Sequence, residues 1–185
     1  PFATPQSVAL FGQKGIDRND PDFFAAYVLN QILGGGSFET RLMQEVRTKR
    51  GLTYGAYSYL LPRDLASTYM GSFASANEKM AEAVGVVHDQ WQALVDSGVT
   101  EAELQDAKTY LTGAYPLRFN GNSQIAAILV SMQMDDLPTD YVVTRNEKVE
   151  AVTLDDVNRI AKELLDPEGL RFVVVGEPEG LKSTN

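Results

Sequence analysis

The most informative stretch of this 185-residue chain runs from Leu33 to Tyr59 and reads LGGGSFETRLMQEVRTKRGLTYGAYSY. Its run of three consecutive glycines, Gly34, Gly35 and Gly36, follows apolar residues at helical spacing and is expected to stop that helix. Ser37 can then cap a second short helix through Thr48 or Lys49, and Gly51 can end it in the left-handed conformation. Strand-like residues begin at Tyr54. The stretch predicts two helices separated by glycines, then a turn and a strand.

The flanking segments extend this pattern in both directions. Ser7 to Gly15 alternates like a strand, with Val8 and Leu10 on one face, and Asp20-Pro21 is typical of a helix start. After the informative stretch, Tyr54–Leu61 and Thr68–Ala76 predict an antiparallel hairpin around a turn at Pro62.

The rest of the chain is mostly helical. A long amphipathic stretch begins near Glu78, and capping boxes at Thr100–Glu103 and Thr153–Asp156 open two further helices. Leu170 to Val175 predicts a final strand of buried type. Because strands do not alternate singly with helices, the pattern disfavours a doubly wound parallel sheet and predicts an α+β domain. There is no repeat or linker, so residues 1–185 are expected to form one domain.

Composition excludes several classes of site. The chain has no cysteine and one histidine, His88, so it cannot supply a thiolate site or a zinc motif that needs two histidines. A net charge of −9 disfavours nucleic acid as a partner. No apolar run approaches the roughly 20 residues of a membrane span. The chain begins at Pro1 without a leader, which predicts a processed product or a piece of a longer protein.

Four cations and one anion, Glu45, give Arg41–Arg50 a local charge of +3. For Lys49 and Arg50 the simplest interpretation is stabilisation of a helix C-terminus, worth about 0.3–1 kcal/mol each. Arg47 is different, because it precedes Tyr54 by seven positions with Gly51 between them. A turn there could bring a guanidinium and a phenol to one rim, where they could hold a peptide carbonyl or an oxyanion. Capping by Arg47 and packing by Tyr54 are the structural alternative.

Two other features carry less chemistry. The glycine run Gly34–Gly36 follows a helix rather than a strand and lacks a following Gly-Lys-Ser/Thr, so it does not predict a phosphate loop. His88 lies beside Val87 and Trp91 in the long helix and is interpreted as a structural histidine, not a metal ligand.

Leu33–Ser58, the opening SVALFGQKGIDRNDPDFFAAYVLNQILGGG and the ending LRFVVVGEPEG together resemble the C-terminal half-domain of the pitrilysin-type zinc peptidases, the M16 family. The resemblance spans nearly the whole chain. It implies an antiparallel or mixed sheet packed by helices on one face, the LuxS/MPP-like metallohydrolase half-domain. It also implies that such units pair around an inner chamber.

In that family one unit carries His-x-x-Glu-His and a distal Glu, and its partner supplies an Arg and a Tyr seven residues later. Arg47 and Tyr54 match that pair in VRTKRGLTY, and Gly34, Gly35 and Gly36 would form a loop near the chamber. This chain lacks the zinc motif. The resemblance therefore implies a domain without catalytic or metal-binding residues of its own, inert alone, with zinc held by a homologous partner domain in the same polypeptide or a separate subunit.

Three functions remain open at this point. The chain could grip an unfolded peptide that the zinc-bearing domain cleaves, serve as a structural or assembly subunit, or bind an extended peptide at its sheet edge without cleavage. The compartment is also open, with the periplasm favoured over the cytoplasm by the family resemblance only.

Overall fold

Four antiparallel strands form one sheet in the order β2-β3-β1-β4. The structure is a computed structural model that describes residues 2–183; Pro1 lies outside the described residues. The strands are β1 (Gln6–Lys14), β2 (Ala56–Leu61), β3 (Thr68–Ala76) and β4 (Arg171–Val175). Strand β1 pairs with both β3 and β4, which makes β2 and β4 the edges. The predicted hairpin is confirmed as β2–β3.

Six α-helices and three short helices accompany the sheet within residues 2–183. The α-helices are α1 (Phe23–Gly34), α2 (Met80–Ser97), α3 (Glu101–Ala114), α4 (Asn122–Met134), α5 (Tyr141–Glu150) and α6 (Leu154–Leu164). A π-helix spans Met43–Thr48, and 3₁₀-helices span Asn77–Lys79 and Pro116–Phe119. The predicted α+β class is confirmed.

The helices cover one face of the sheet because the strands alternate in burial. Phe11, Tyr69 and Phe73 point into the helical layer and are almost fully buried. The opposite side, which we call the open sheet face, is exposed and consists of Val8, Leu10, Tyr57, Tyr59, Val173 and Val175. One covered and one open face is the arrangement that an antiparallel sheet tolerates.

The core is centred on Trp91 of α2, which is fully buried. Its ring meets Phe11 edge to face at 5.7 Å and Tyr69 at 5.0 Å, and its indole N–H donates to Gln13 Oε1 at 2.6 Å. The same hydrophobic cluster includes Val149 of α5 and reaches Leu170 before β4. The early strands and the late helices therefore share one core.

Both predicted capping boxes are confirmed. Thr100 accepts from the N–H of Glu103 and Thr153 accepts from that of Asp156, and each acid reaches back to the backbone N–H of its threonine.

Two helix starts differ from prediction. Helix α1 begins at Phe23, because Asp20 and Pro21 form a preceding turn in which Asp20 Oδ1 accepts the N–H of Asp22 at 2.8 Å. The second helix begins at Arg41 rather than after Ser37, and its Met43 N–H is accepted by Thr40 Oγ1 at 3.4 Å.

The prediction of a buried final strand is wrong for β4. This strand lies at a sheet edge, with Phe172 and Val174 against the core and Val173 and Val175 on the open sheet face. A run of valines is compatible with either position, because it lacks the polar alternation that marks a half-exposed strand. Among residues 2–183, no helix has the length and apolar character needed to cross a membrane.

Candidate functional site

A left-handed turn at Gly51 links the π-helix to the segment that precedes β2. Gly51 has φ of +60°, a conformation that side-chain-bearing residues rarely adopt. Its N–H donates to Arg47 O at 2.8 Å, and the N–H of Leu52 donates to Val46 O at 2.9 Å. The end of the helix and the start of the next segment are thus tied together, and Arg47 lies at that junction.

Hydrogen bonds to β3 anchor the backbone around Tyr54, whereas the Tyr54 side chain makes no hydrogen bond. Thr53 Oγ1 donates to Ala74 O of β3 at 2.7 Å, and Ser75 Oγ of β3 donates to Leu52 O at 2.6 Å. Leu52 is buried beneath this segment. The Tyr54 side chain is 85% exposed, and its hydroxyl has no hydrogen-bond partner within residues 2–183. Tyr54 is therefore held in solvent by an anchored loop and does not pack as a strand aromatic.

Three of the four cations between Arg41 and Arg50 have partners. Arg41 makes a two-pronged ion pair with Glu103 of α3, at 2.6 and 2.9 Å, and also donates to Gly98 O. Lys49 and Arg50 both bind Glu45. The hydrogen bond from Lys49 lowers the pKa of Glu45 the most, and the hydrogen bond from Arg50 lowers it further. These three cations serve the local structure.

Arg47 is the exception. In the described part of the chain, its guanidinium makes no hydrogen bond and no ion pair, and the carbon at its centre lies 4.9 Å from the centroid of the Phe38 ring. Stacking on an aromatic face holds a guanidinium in place while its N–H groups stay available in the plane. The N–H groups of Arg47 therefore have no protein acceptor among the described residues.

Arg47 and Tyr54 do not contact each other. No hydrogen bond joins them, and the ring beneath the guanidinium is that of Phe38 and not of Tyr54. The arrangement leaves two independent donors on adjoining segments, a planar fork and a phenol. Such a pair can hold two oxygens of an extended peptide.

The glycine run has structural reasons of its own. Gly34 is the last residue of α1, not a loop residue as predicted, and it is buried. A Cβ there would lie 2.6 Å from Ser58 N and 2.9 Å from a methyl of Leu42. Gly36 has φ of +98°. Gly35 and Gly36 form the loop, while Gly34 allows α1 to approach β2.

His88 lies half-buried on α2. Within residues 2–183, no group of three or more His, Asp or Glu side chains is placed to hold a metal ion. The residues that the structure describes therefore do not fit a zinc centre.

Sequence reasoning missed two sets of residues. Phe38 and Glu103 fix the orientations of Arg47 and Arg41, but their contacts span 9 and 62 positions and leave no local pattern. It also missed a cavity lined by arginines and tyrosines from four separate segments. The only available signal was a tyrosine within four positions of an arginine in two segments, Tyr115 with Arg118 and Tyr141 with Arg145.

The family model described as "Peptidase M16 inactive domain" matches residues 2–111. An uncharacterised zinc protease of Streptomyces coelicolor is 29% identical over 168 residues, covering 88% of this chain and 35% of that protein. A protein of Helicobacter pylori named a non-peptidase homolog is 28% identical over 176 residues, covering 93% and 40%.

The crystal structure of a peptidase M16 inactive domain from Pseudomonas fluorescens superimposes with a TM-score of 0.86 at 34% identity. The superimposed region covers 98% of this chain and 43% of the Pseudomonas fluorescens chain. The chain thus spans 35–40% of the length of these two curated relatives.

Proposed function

The chain belongs to the family of the peptidase M16 inactive domain, and on that premise we propose that it is the substrate-gripping half of a zinc metalloendopeptidase. In this proposal, a homologous domain that carries the zinc motif completes the enzyme. The substrate is an unfolded peptide, which binds between the two domains. Residues 1–185 act as one unit, a proposal supported by the single core from Ala9 to Leu170.

The observation that carries this proposal is the unpaired state of Arg47. Among four neighbouring cations, it alone has neither a carboxylate nor a carbonyl partner in residues 2–183. A helix-capping arginine would bond the last carbonyls of its helix, as Arg50 does with Glu45 O at 2.8 Å. The contrast with Arg50 favours an external acceptor for Arg47.

The proposed roles follow from the donors. The Tyr54 hydroxyl donates to the oxygen of the carbonyl under attack, where negative charge develops. Arg47 holds a neighbouring carbonyl of the same peptide. A donor of this kind is worth about 10²–10³-fold in rate when it meets the developing charge.

Zinc is assigned to the partner domain, since the described residues do not fit a metal centre. There it would supply the hydrolytic chemistry. The contribution of this chain is confined to binding and orienting the peptide and to hydrogen bonding at its carbonyl oxygens.

The open sheet face supports the proposal of a partner. Six large apolar or aromatic side chains, each 40–64% exposed, lie on it. Exposed apolar side chains gathered on one face of a sheet are typical of an interaction surface. We propose that the partner domain and the peptide shield it in the assembled enzyme. A periplasmic location is likewise a proposal, supported by the family resemblance only.

One observation favours a second candidate. The Helicobacter pylori relative is named a non-peptidase homolog, so a chain of this fold can be part of a protein without proteolytic activity. A structural subunit would need neither Arg47 nor Tyr54 as a hydrogen-bond donor.

The exposed edges β2 and β4 would suit the third function, binding an extended peptide without cleavage.

Reconstitution tests the proposal. The chain is combined with a homologous domain that contains His-x-x-Glu-His, and cleavage of an unfolded, fluorescently labelled peptide is followed with and without a chelator. We expect chelator-sensitive cleavage by the pair, none by the chain alone, and no stoichiometric zinc in the dialysed chain. Failure of the assembled pair to cleave would favour the structural subunit, and zinc lost on His88→Ala would overturn the assignment of the metal to the partner.

A further inference from the structure

A cavity of about 300 Å³ lies between α1, the end of α3, α4, α5 and the far end of β2. It does not include Arg47 or Tyr54. Its lining is rich in cations and phenols, with three arginines and four tyrosines, namely Arg18, Arg118, Arg145, Tyr27, Tyr59, Tyr115 and Tyr141. Its volume is at the small end of the range for ligand pockets. In a chain of net charge −9, this concentration of arginine calls for a physical explanation.

Arg145 is the central observation. It is 3% exposed, yet it makes no ion pair within residues 2–183. Its guanidinium donates to Leu111 O at 2.8 Å, Asn146 Oδ1 at 2.7 Å and Tyr27 Oη at 3.1 Å. A guanidinium has five N–H donors, so two remain without an acceptor. Arg145 thus has no ionic partner, and its unbonded Nε is not among the enclosed polar atoms of the described residues, so an anion from outside the chain can reach it.

Aromatic rings hold the arginines in place. The Arg145 guanidinium lies 4.5 Å from the centroid of the Tyr115 ring and 5.3 Å from that of Tyr27. Arg18 lies 4.3 Å from the Phe23 ring, and its Nη2 donates to Tyr141 Oη at 2.6 Å. These contacts fix the orientation of both guanidinium groups before any ligand arrives, which lowers the entropic cost of binding one.

The tyrosines add donors rather than acceptors. The hydroxyl oxygens of Tyr27 and Tyr141 each accept from an arginine, so each hydroxyl keeps its own proton to donate. Neither proton has an acceptor in the described part of the chain. Burial raises the pKa of Tyr115 further above neutral pH, where a phenol is already protonated.

The acids of the cavity do not balance its cations. Asp135 is the one acidic residue of the lining, and it is exposed and makes no ion pair among residues 2–183. Arg118 is also exposed, and its guanidinium has no partner there. Three cations against one carboxylate leave an excess of two positive charges around a cavity with unsatisfied donors.

We propose that this cavity binds a carboxylate, which takes the free N–H groups of Arg145 and the hydroxyl protons of Tyr27 and Tyr141, with Arg118 at the mouth. A guanidinium fork matches the two oxygens of a carboxylate. The carboxylate belongs to a peptide terminus or to a small free acid. The site stands apart from the Arg47–Tyr54 pair and does not depend on a zinc-bearing partner.

Calorimetric titration of the chain alone tests the site. The probes are succinate, an unstructured hexapeptide with a free C-terminal carboxylate, and the same hexapeptide as its C-terminal amide. Saturable binding of the free-acid peptide in preference to the amide identifies a peptide terminus as the source, while binding of succinate identifies a free acid. Either result supports the proposal. Absence of saturable binding for both succinate and the free-acid peptide overturns it, and so does tighter binding of inorganic phosphate, titrated as a fourth probe, than of either carboxylate.

Two substitutions and a control then locate the site. Arg118→Gln removes an exposed cation at the mouth and should weaken binding about two- to fivefold without changing Tm. Arg145→Lys keeps the charge but loses the fork and should weaken it about 10–100-fold. Arg118→Gln keeps the test valid if Arg145→Lys fails to fold.

The control is Arg171→Gln, which makes the same charge change at an exposed position of β4 outside the cavity. It should leave the affinity unchanged. Equal weakening by Arg171→Gln and Arg118→Gln would show that bulk charge alone is responsible and would refute the site. The carboxylate site is tested by titration of the chain alone, whereas the proposed enzyme is tested by turnover with its partner. Either proposal can therefore fail without affecting the other.

Discussion

At the scale of single residues, neighbouring arginines differ in whether a carboxylate of the chain pairs with them. Arg41 links the segment before the π-helix to α3, and Arg50 binds Glu45. Arg47 is held by the Phe38 ring alone. The sequence shows that Arg41, Arg47 and Arg50 are cationic, but it does not show which of them pairs with a carboxylate. For this reason, counting charges predicted a local excess, and only the ion pairs identify Arg47 as its unpaired member.

Substitution of the two donors tests their proposed roles in the assembled enzyme. Tyr54→Phe should lower kcat about 10²–10³-fold, since the hydroxyl is lost while the exposed ring stays in place. Arg47→Lys should also lower kcat, because an ammonium cannot reproduce the planar fork. Steady-state kinetics and thermal melts on both variants provide the measurement, and Tm should stay unchanged.

Matched controls exist for both donors. Tyr110→Phe alters another exposed tyrosine, on α3, and Arg50→Lys alters an arginine whose pairing with Glu45 a lysine can retain. Both controls should keep full activity. If Tyr54→Phe and Arg47→Lys are as active as these controls, the two residues do not contact the peptide during turnover.

At the scale of elements, α1 can approach β2 closely because Gly34 has no side chain. Gly34 ends α1 where the backbone of Ser58 lies against it, and the Ser58 hydroxyl donates to Asn30 Oδ1 at 2.9 Å. This contact positions β2 and the anchored Tyr54 loop that precedes it. The packing of a helix end therefore determines where a proposed substrate-binding residue is presented.

Gly34→Ala should destabilise the chain by about 1–3 kcal/mol, because the added methyl would overlap Ser58 and force α1 away from the sheet. Urea unfolding measures the change. Gly85→Ala is the matched control, since Gly85 is exposed in α2 with open space around its Cα. It should stabilise by about 0.5–1 kcal/mol. A Gly34→Ala chain as stable as wild type would contradict the packing argument.

The elements also show how far sequence patterns extend. The hairpin and both capping boxes follow from contacts within a few residues, and all were predicted. The π-helix was not, because its Lys49 N–H bonds to Gln44 O at 2.9 Å where an ordinary helix would bond to Glu45 O. Nothing in MQEVRT marks that shift. Likewise, the exposure of Val8 and Leu10 depends on which face the distant helices cover.

At the scale of the whole molecule, an ion pair joins the segment of the proposed site to the helical layer. Burial alone would raise the pKa of Glu103, but hydrogen bonds from Arg41 and from Thr100 outweigh it and hold that pKa below 4.5. A carboxyl with a lowered pKa in the folded state stabilises the fold fully above its unfolded pKa. This stabilisation is lost as the pH falls through the folded pKa.

Glu103→Gln should therefore cost about 1 kcal/mol of unfolding free energy at pH 7, and the cost should shrink toward zero as the pH is lowered below 4.5. Chemical unfolding at a series of pH values measures it. Glu101→Gln, at an exposed position in the same first turn of α3, controls for interaction with the helix dipole. A cost for Glu103→Gln that does not vary with pH would rule out the ion pair as its source.

The burial of Trp91 has an optical consequence. It is the one tryptophan of the chain, and it lies between the sheet and the helical layer, far from water. Tryptophan emission moves to longer wavelength on contact with water. The wavelength of maximum emission of this protein therefore reports separation of the sheet from the helical layer. Rotation of the exposed Tyr54 side chain leaves that indole away from water and the emission unshifted. The molecule thus carries a built-in probe that distinguishes global unfolding from rearrangement at its surface.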